Sequence, residues 1–234
     1  MESTYKIFNE RIKEIDFYYE ALTQLAEAIA QSLGNSIESK KTYKQENFLK
    51  ILKANALLMI YNFVESTLLN GISEIYDKLR FTGATYLSVR KEIKDIWFSY
   101  KFKQAYQPEA HYRTYKSKAL EIVNSIMIGE TIDLNRKSLS IDGNIDADII
   151  RNVCYDHGIT FSPDRESKGG ERLKDVKLKR NELAHGTLSF AECGRDYSLE
   201  DLVKIKDQTK IFLTGLLEGM KRYYDYEEYL DHVE

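Results

Sequence analysis

With 234 residues, a formal net charge of -3 and a pI near 5.9, the chain is long enough for one domain with a self-sufficient core. It is too acidic to coat nucleic acid non-specifically, which still allows a local basic site. Cys154 and Cys193 are its two cysteines, with no CxxC or His/Cys cluster, which argues against a disulfide framework and against structural zinc.

Leu, Ile, Lys, Glu and Tyr are plentiful, and Pro108 and Pro163 are the only prolines; few helix breakers among many charged residues predict an all-α protein. The first twenty residues are charged and lack a signal-peptide core. The longest apolar run, Ala56 to Tyr61, is far too short to cross a bilayer, so a cytoplasmic protein with no membrane partner is expected. Ser3 or Thr4 caps a first helix to about Leu33, and Gly34-Asn35-Ser36 breaks it. A second helix covers Tyr43 to Leu79. Its stretch from Ala54 to Leu69 is apolar on nearly all sides and is expected to be the most buried helix of the protein, interrupted on one narrow stripe by Asn55, Asn62, Glu65 and Ser66. Gly83 marks a turn, a third helix runs from about Tyr86 to Tyr106, and Pro108 opens a fourth through about Ile128. Residues 131–146 read as an irregular insertion with room for a short hairpin. A fifth helix, Ala147 to Asp156, stops at Gly158. Residues 161–170 read as a mobile connection before a helix from Glu171 to His185. Ser198 to Asp201 resembles a capping box at the head of a long last helix. The whole chain, 1–234, thus reads as a single helical domain.

The segment Arg180-Asn181-Glu182-Leu183-Ala184-His185 stands apart chemically. An imidazole moves protons near neutral pH and a guanidinium holds phosphate oxygens in a planar fork, so the pair suits cleavage of a phosphodiester without a metal. On a helical wheel Leu173, Val176, Arg180, Leu183 and Ala184 share a core-facing stripe, while Leu178, Asn181 and His185 lie to one side. Arg180 and His185 are about 140° apart. The plainer reading makes Arg180 a buried cation paired with Glu65, the one acid in the apolar part of the second helix, and His185 a helix-terminal residue favoured by the helix dipole. Residues 165–180 carry seven cations against three acids. That run is either a solvated helix face or a phosphate-tracking patch, with Lys174, Lys177 and Lys179 as its candidate RNA-binding residues.

Residues Lys179 to Gly186 are similar to the signature of HEPN domains, in which Arg is followed after four to six residues by His and Asn directly follows the Arg. Ser189-Phe190, Gly194 to Asp201, and Tyr61-Asn62-Phe63-Val64-Glu65-Ser66-Thr67 in the second helix resemble stand-alone bacterial HEPN-like proteins. This resemblance implies a bundle with long antiparallel helices and metal-independent endoribonuclease chemistry, often within toxin–antitoxin or antiphage systems. It also implies a homodimer in which two motif helices meet over one cleft. An RNA substrate and, as a candidate partner, an antitoxin protein follow from it; no metal and no cofactor are expected. Under that reading His185 is the general acid or base, Arg180 stabilises the transferring phosphate, and Asn181 orients the imidazole or bonds a phosphate oxygen. Glu65 fixes Arg180 from behind, with Asn62 in support. Some members carry a modifiable tyrosine two residues after the histidine; Thr187 stands there in this chain, which departs from that form of regulation. The alternative is a non-catalytic HEPN dimerisation or RNA-binding module. A purely structural bundle with a Tyr-rich tail, residues 223–229, docking a protein partner is a third reading.

Overall fold

The computed structural model describes residues 1–33, 39–105, 112–139, 141 and 143–231. The expected break at Gly34-Asn35-Ser36 and the helix start at Pro108 lie outside these residues, as do His111 and His232. The first helix, α1 (Glu2–Leu33), carries its buried residues Phe8, Ile12, Ile15, Tyr19, Leu22 and Ile29 at intervals of three, four or seven, which places them on one stripe. That stripe lies on α2 (Ser39–Phe81), a helix of 43 residues. Phe8 packs on Phe63, the Thr4 hydroxyl donates to Glu74, and the Tyr18 hydroxyl donates to the Leu52 carbonyl. Partners fall in number along one helix as they rise along the other, so α1 and α2 are antiparallel.

The last helix, α8 (Leu199–Asp225), completes a three-helix core. Lys206 on α8 pairs with Asp16 on α1, and Tyr5 near the start of α1 lies by Glu218 and Lys221, so α1 and α8 are antiparallel too. Lys78 at the end of α2 pairs with Glu227 just beyond α8, and Gly71 faces Met220; α2 and α8 therefore run parallel. The stretch from Ala54 to Leu69 is buried save on one stripe, where Asn62 is exposed and Leu58, Met59 and Leu69 are half-buried along with Asn55, Glu65 and Ser66. Burial does not stop there. Ile72, Ile75, Tyr76 and Leu79 of α2, and Phe212, Leu213, Leu216, Leu217 and Met220 of α8, are equally enclosed, so two helices share the centre.

A second layer is formed by α3 (Lys91–Ala105), α4 (Tyr112–Met127) and α5 (Ala147–His157). The start of α3 falls later than the sequence suggested because residues 85–90 are used otherwise. Thr85 bridges Thr131, Val89 bridges Leu230, and the Arg90 amide donates to the Tyr229 carbonyl. The insertion at 131–146 holds no hairpin among the described residues. It forms a 3-10 turn at Arg136–Ser138 with Asn135 as its cap, and it buries Ile132, Leu134 and Ile145. His157 is buried and shares a hydrogen bond of 2.7 Å with the Tyr76 hydroxyl. The Tyr-rich tail is only partly packed: Tyr223 and Tyr229 are fully enclosed, Tyr224 is half-buried and Tyr226 is 72% exposed.

The segment before the motif helix corrects the expectation of a mobile connection. Residues 165–170 form a 3-10 turn with Ser167 and Gly170 buried, and residues 160–163 lie directly on α8. A Cβ on Gly215 would stand 2.7 Å from Pro163 Cα, and one on Gly219 would stand 2.7 Å from the Thr160 carbonyl oxygen. Two glycines one turn apart make a groove into which the chain settles. Helix α6 (Arg172–Ala184) follows, then a short α7 (Phe190–Arg195) absent from the sequence reading, capped by a Ser189–Glu192 box. At Gly194 a Cβ would stand 1.8 Å from the Lys50 carbonyl oxygen, so only glycine lets α7 cross α2 there.

Candidate functional site

Helix α6 presents the Arg180-to-His185 segment. Leu173, Val176 and Leu183 anchor it in the core, and three polar ties fix its position. The Tyr197 hydroxyl donates to Asp175 at 2.6 Å. Lys177 pairs with Asp146, the N-cap of α5, whose carboxylate also accepts from the Asp148 and Ile149 amides. Burial pushes the Asp146 carboxyl up, but Lys177 and those amides outweigh it and hold the group below its ordinary value. The third tie is Arg180, whose guanidinium carbon stands 4.6 Å from the centre of the Tyr61 ring on α2.

Arg180 is half-buried, and its Nη1 donates to Asn181 Oδ1 at 2.9 Å. Asn181 Nδ2 donates in turn to Asn144 Oδ1 at 2.6 Å. Below them the Tyr61 hydroxyl donates to the Gly143 carbonyl and accepts from the Ile145 amide at 3.2 Å. Burial holds the Tyr61 phenol above its ordinary value, against the Ile145 amide and the nearby charges of Arg180 and Lys177, so the hydroxyl stays a donor. The result is a ladder from α2 through the 143–145 loop to α6 that sets the plane of the guanidinium.

His185 is the C-cap of α6 and is exposed. Its amide donates to the Asn181 carbonyl, and the chain turns away at Gly186 with φ +70°. On the same flank Leu178 is 49% exposed. Leu178 and His185 are exposed and Asn181 is half-buried on the side face that the helical wheel assigned them, whereas Ala184, which the wheel placed on the core-facing stripe, is exposed too.

A model of the HEPN_MAE_28990-like HEPN domain family matches residues 3–229. The chain belongs to this HEPN family. No curated protein and no solved structure matches it. Its motif therefore sits in a HEPN domain that spans nearly the whole chain.

Within this HEPN domain the expected site residues divide. Arg180, Asn181 and the exposed His185 sit together at the end of α6. Glu65 does not fix Arg180: among the described residues no ion pair or hydrogen bond joins them, and the aromatic face of Tyr61 and the side chain of Asn181 take that role. The physical reason is burial. Arg180 keeps access to water, so its charge needs no buried carboxylate. Glu65 and Asn62 instead line a cleft on the α1–α2 side with Arg11 and Arg136. Among the lysines expected to track phosphate, Lys177 is held by Asp146 and Lys179 by Glu182 at 3.0 Å, whereas Lys174 is exposed and makes no ion pair among the described residues. Tyr61 and Asn144 were the residues missed. Tyr61 stood inside the stretch that resembled HEPN proteins, but an aromatic in an apolar helix reads as plain core. Nothing local marks Asn144. A cleft of about 640 Å³, lined by residues of α3 and α5 with Ser138, Leu139 and Ile141, contains neither Arg180 nor His185. Among the described residues no helix is long and apolar enough to cross a membrane, and no group of His, Cys, Asp and Glu is arranged to hold a metal ion.

Proposed function

We propose that this HEPN domain is a metal-independent endoribonuclease that works as a homodimer. The observation that carries the reading is an exposed imidazole at His185, five residues from a guanidinium at Arg180 that is oriented by Tyr61 and Asn181 and makes no ion pair with a carboxylate among the described residues. A cation held in plane and left without an anion suits a phosphate oxygen. The ribose 2′-OH attacks the adjacent phosphorus while His185 takes or delivers the proton, and Arg180 stabilises the charge that builds on phosphate. The bond to the 5′ oxygen of the next nucleotide breaks, leaving a 2′,3′-cyclic phosphate and a 5′-OH.

The dimer enters because no side-chain partner orients the His185 ring among the described residues. A second α6 brought across a two-fold axis at the Leu178–Asn181–His185 face supplies the missing half of the cleft. The setting we assign it, from the resemblance of its motif to HEPN proteins, is toxin–antitoxin or antiphage defence, with an antitoxin protein as candidate partner. The unoriented imidazole also favours a second reading, a non-catalytic dimerisation or RNA-binding module that keeps the Arg180–Tyr61 contact.

An RNA panel incubated in EDTA decides between them. Wild type should cleave, with cyclic phosphate ends. His185→Ala should slow cleavage by about 10² to 10⁴ with its melting temperature unchanged, since the residue is exposed. Light scattering should give about twice the chain's 27.3 kDa. Cleavage that requires a divalent metal or survives His185→Ala refutes the mechanism, and a folded dimer that cleaves no RNA favours the non-catalytic module.

A further inference from the structure

Next to Tyr61 on α2, a cleft of about 320 Å³ is lined by Arg11, Asn62, Glu65, Ser66, Asn70 and Arg136. Arg136 donates from Nε to the Ser73 hydroxyl at 3.0 Å and from Nη2 to Asn70 Oδ1 at 2.7 Å. Its guanidinium is thereby set in place, with Nη1 unbonded among the described residues. Arg11 is stranger. Its Nε is shut off from solvent yet has no acceptor, and among the described residues no hydrogen bond or ion pair engages the side chain. Glu65 shares the cleft but pairs with neither arginine among the described residues.

A desolvated guanidinium donor without an acceptor is an unfavourable arrangement that folding alone does not explain. Arg11 is half-buried and lines the cleft, so its charge, which no carboxylate of the described residues neutralises, is within reach of an anion that enters there. Two guanidiniums against one carboxylate, with the amides of Asn62 and Asn70 and the Ser66 hydroxyl around them, suit a phosphate oxyanion. The 143–145 loop lies between the cleft and the α6 site and touches residues of both. A Cβ on Gly143 would stand 3.9 Å from Glu65 Oε1, the Gly143 carbonyl accepts from Tyr61, and neighbouring Asn144 holds Asn181. From Asn62 to Asn70 it extends about 12 Å along α2.

We propose that this cleft is a phosphate subsite, in which Arg11 and Arg136 hold the backbone of single-stranded RNA beside the scissile bond. It rests on the reading of the chain as an RNA-acting domain, and the probe keeps the two ideas separable. The probe is a labelled 2′-O-methyl oligoribonucleotide, which binds as RNA does but has no free 2′-OH to attack with. Its binding to full-length protein is followed by fluorescence anisotropy at salt concentrations from about 50 to 200 mM.

Arg11→Met keeps the length of the side chain and removes the stranded donor. It should weaken binding roughly tenfold or more and lower the salt slope by about 0.7, the loss of one single-strand phosphate contact. Its melting temperature should stay the same or rise, because nothing inside the protein bonds the group it removes. Unchanged affinity and slope overturn the proposal, as does a melting temperature that falls in step with affinity, which marks a structural arginine. If Arg11→Met does not fold, Arg11→Lys carries the test: affinity must fall while the slope is retained. If Arg11→Met splits a dimer in light scattering while affinity per chain holds, the acceptor is a carboxylate of a second copy and the phosphate subsite fails. Arg11-dependent binding by a protein that cleaves nothing removes the nuclease reading only. Cleavage with a KM indifferent to Arg11→Met removes the subsite only.

Discussion

At the residue scale, the Arg180 end of α6 depends on one phenol. Tyr61 is 1% exposed, yet its ring faces the Arg180 guanidinium and its hydroxyl serves two backbone groups of the 143–145 loop. Tyr61→Phe keeps the ring and strips the hydroxyl, leaving the Gly143 carbonyl and the Ile145 amide without that partner. Leaving such groups unsatisfied costs about 1–3 kcal/mol, which lowers the melting temperature of a chain this size by several degrees. The guanidinium contact is left intact, so any cleavage activity at a temperature where the variant is folded should fall only modestly. A melting curve that does not move would mean that water replaces the hydroxyl without penalty.

At the element scale, α6 is positioned from behind by parts of the chain that carry no catalytic groups. The 160–170 segment enters it, and that segment is seated on α8 by Gly215 and Gly219. Alanine is the better helix former by about 1 kcal/mol, so on α8 alone either Gly→Ala change would stabilise. In the folded protein the new methyl meets Pro163 or the Thr160 carbonyl, and overpacking of this kind costs about 1–3 kcal/mol. Gly215→Ala and Gly219→Ala should therefore lower the melting temperature. A rise would show that residues 160–163 can lift from α8 and that the groove does not hold the motif helix.

At the scale of the whole molecule, acid sensitivity should come from a histidine that does no chemistry. Burial lowers the pKa of His157 despite its bond to the Val153 carbonyl and the nearby Asp156. The unfolded chain, with an ordinary value of about 6.5, therefore binds the proton more readily than the folded one. Stability from this group is complete above about pH 6.5 and falls as pH drops from there towards the lower folded value. The Asp146 carboxyl, also lowered, adds a second loss that begins only below its unfolded value of about 3.9. Urea melts at pH 8, 6 and 5 should show the first loss in wild type. In His157→Gln, which still offers the Tyr76 hydroxyl an acceptor, the slope across that range should flatten. A slope that persists assigns the loss to other groups.

The sequence by itself determined most of the helices and marked Arg180, Asn181 and His185 as candidate site residues. Apolar spacing in α1 and α2, the Gly158 stop and the Ser198 cap are local signals, and periodicity is enough to place them. The same wheel put Asn181 and His185 on a side face, where Asn181 is half-buried and His185 exposed. What it could not decide was which groups from distant segments meet. Glu65 was the only acid on the apolar stretch and so looked like the partner of Arg180. The fold turns it towards Arg11 and Arg136 instead and brings Tyr61 to the guanidinium. Lys177 and Lys179 resembled an open cationic row until Asp146 and Glu182 came within reach. The 160–170 segment, rich in turn residues, read as mobile because the glycines that seat it lie some fifty residues further on, in α8. Local composition fixes which face of a helix is apolar. Only the packed arrangement of helices decides which charge is neutralised and which is left free for a ligand.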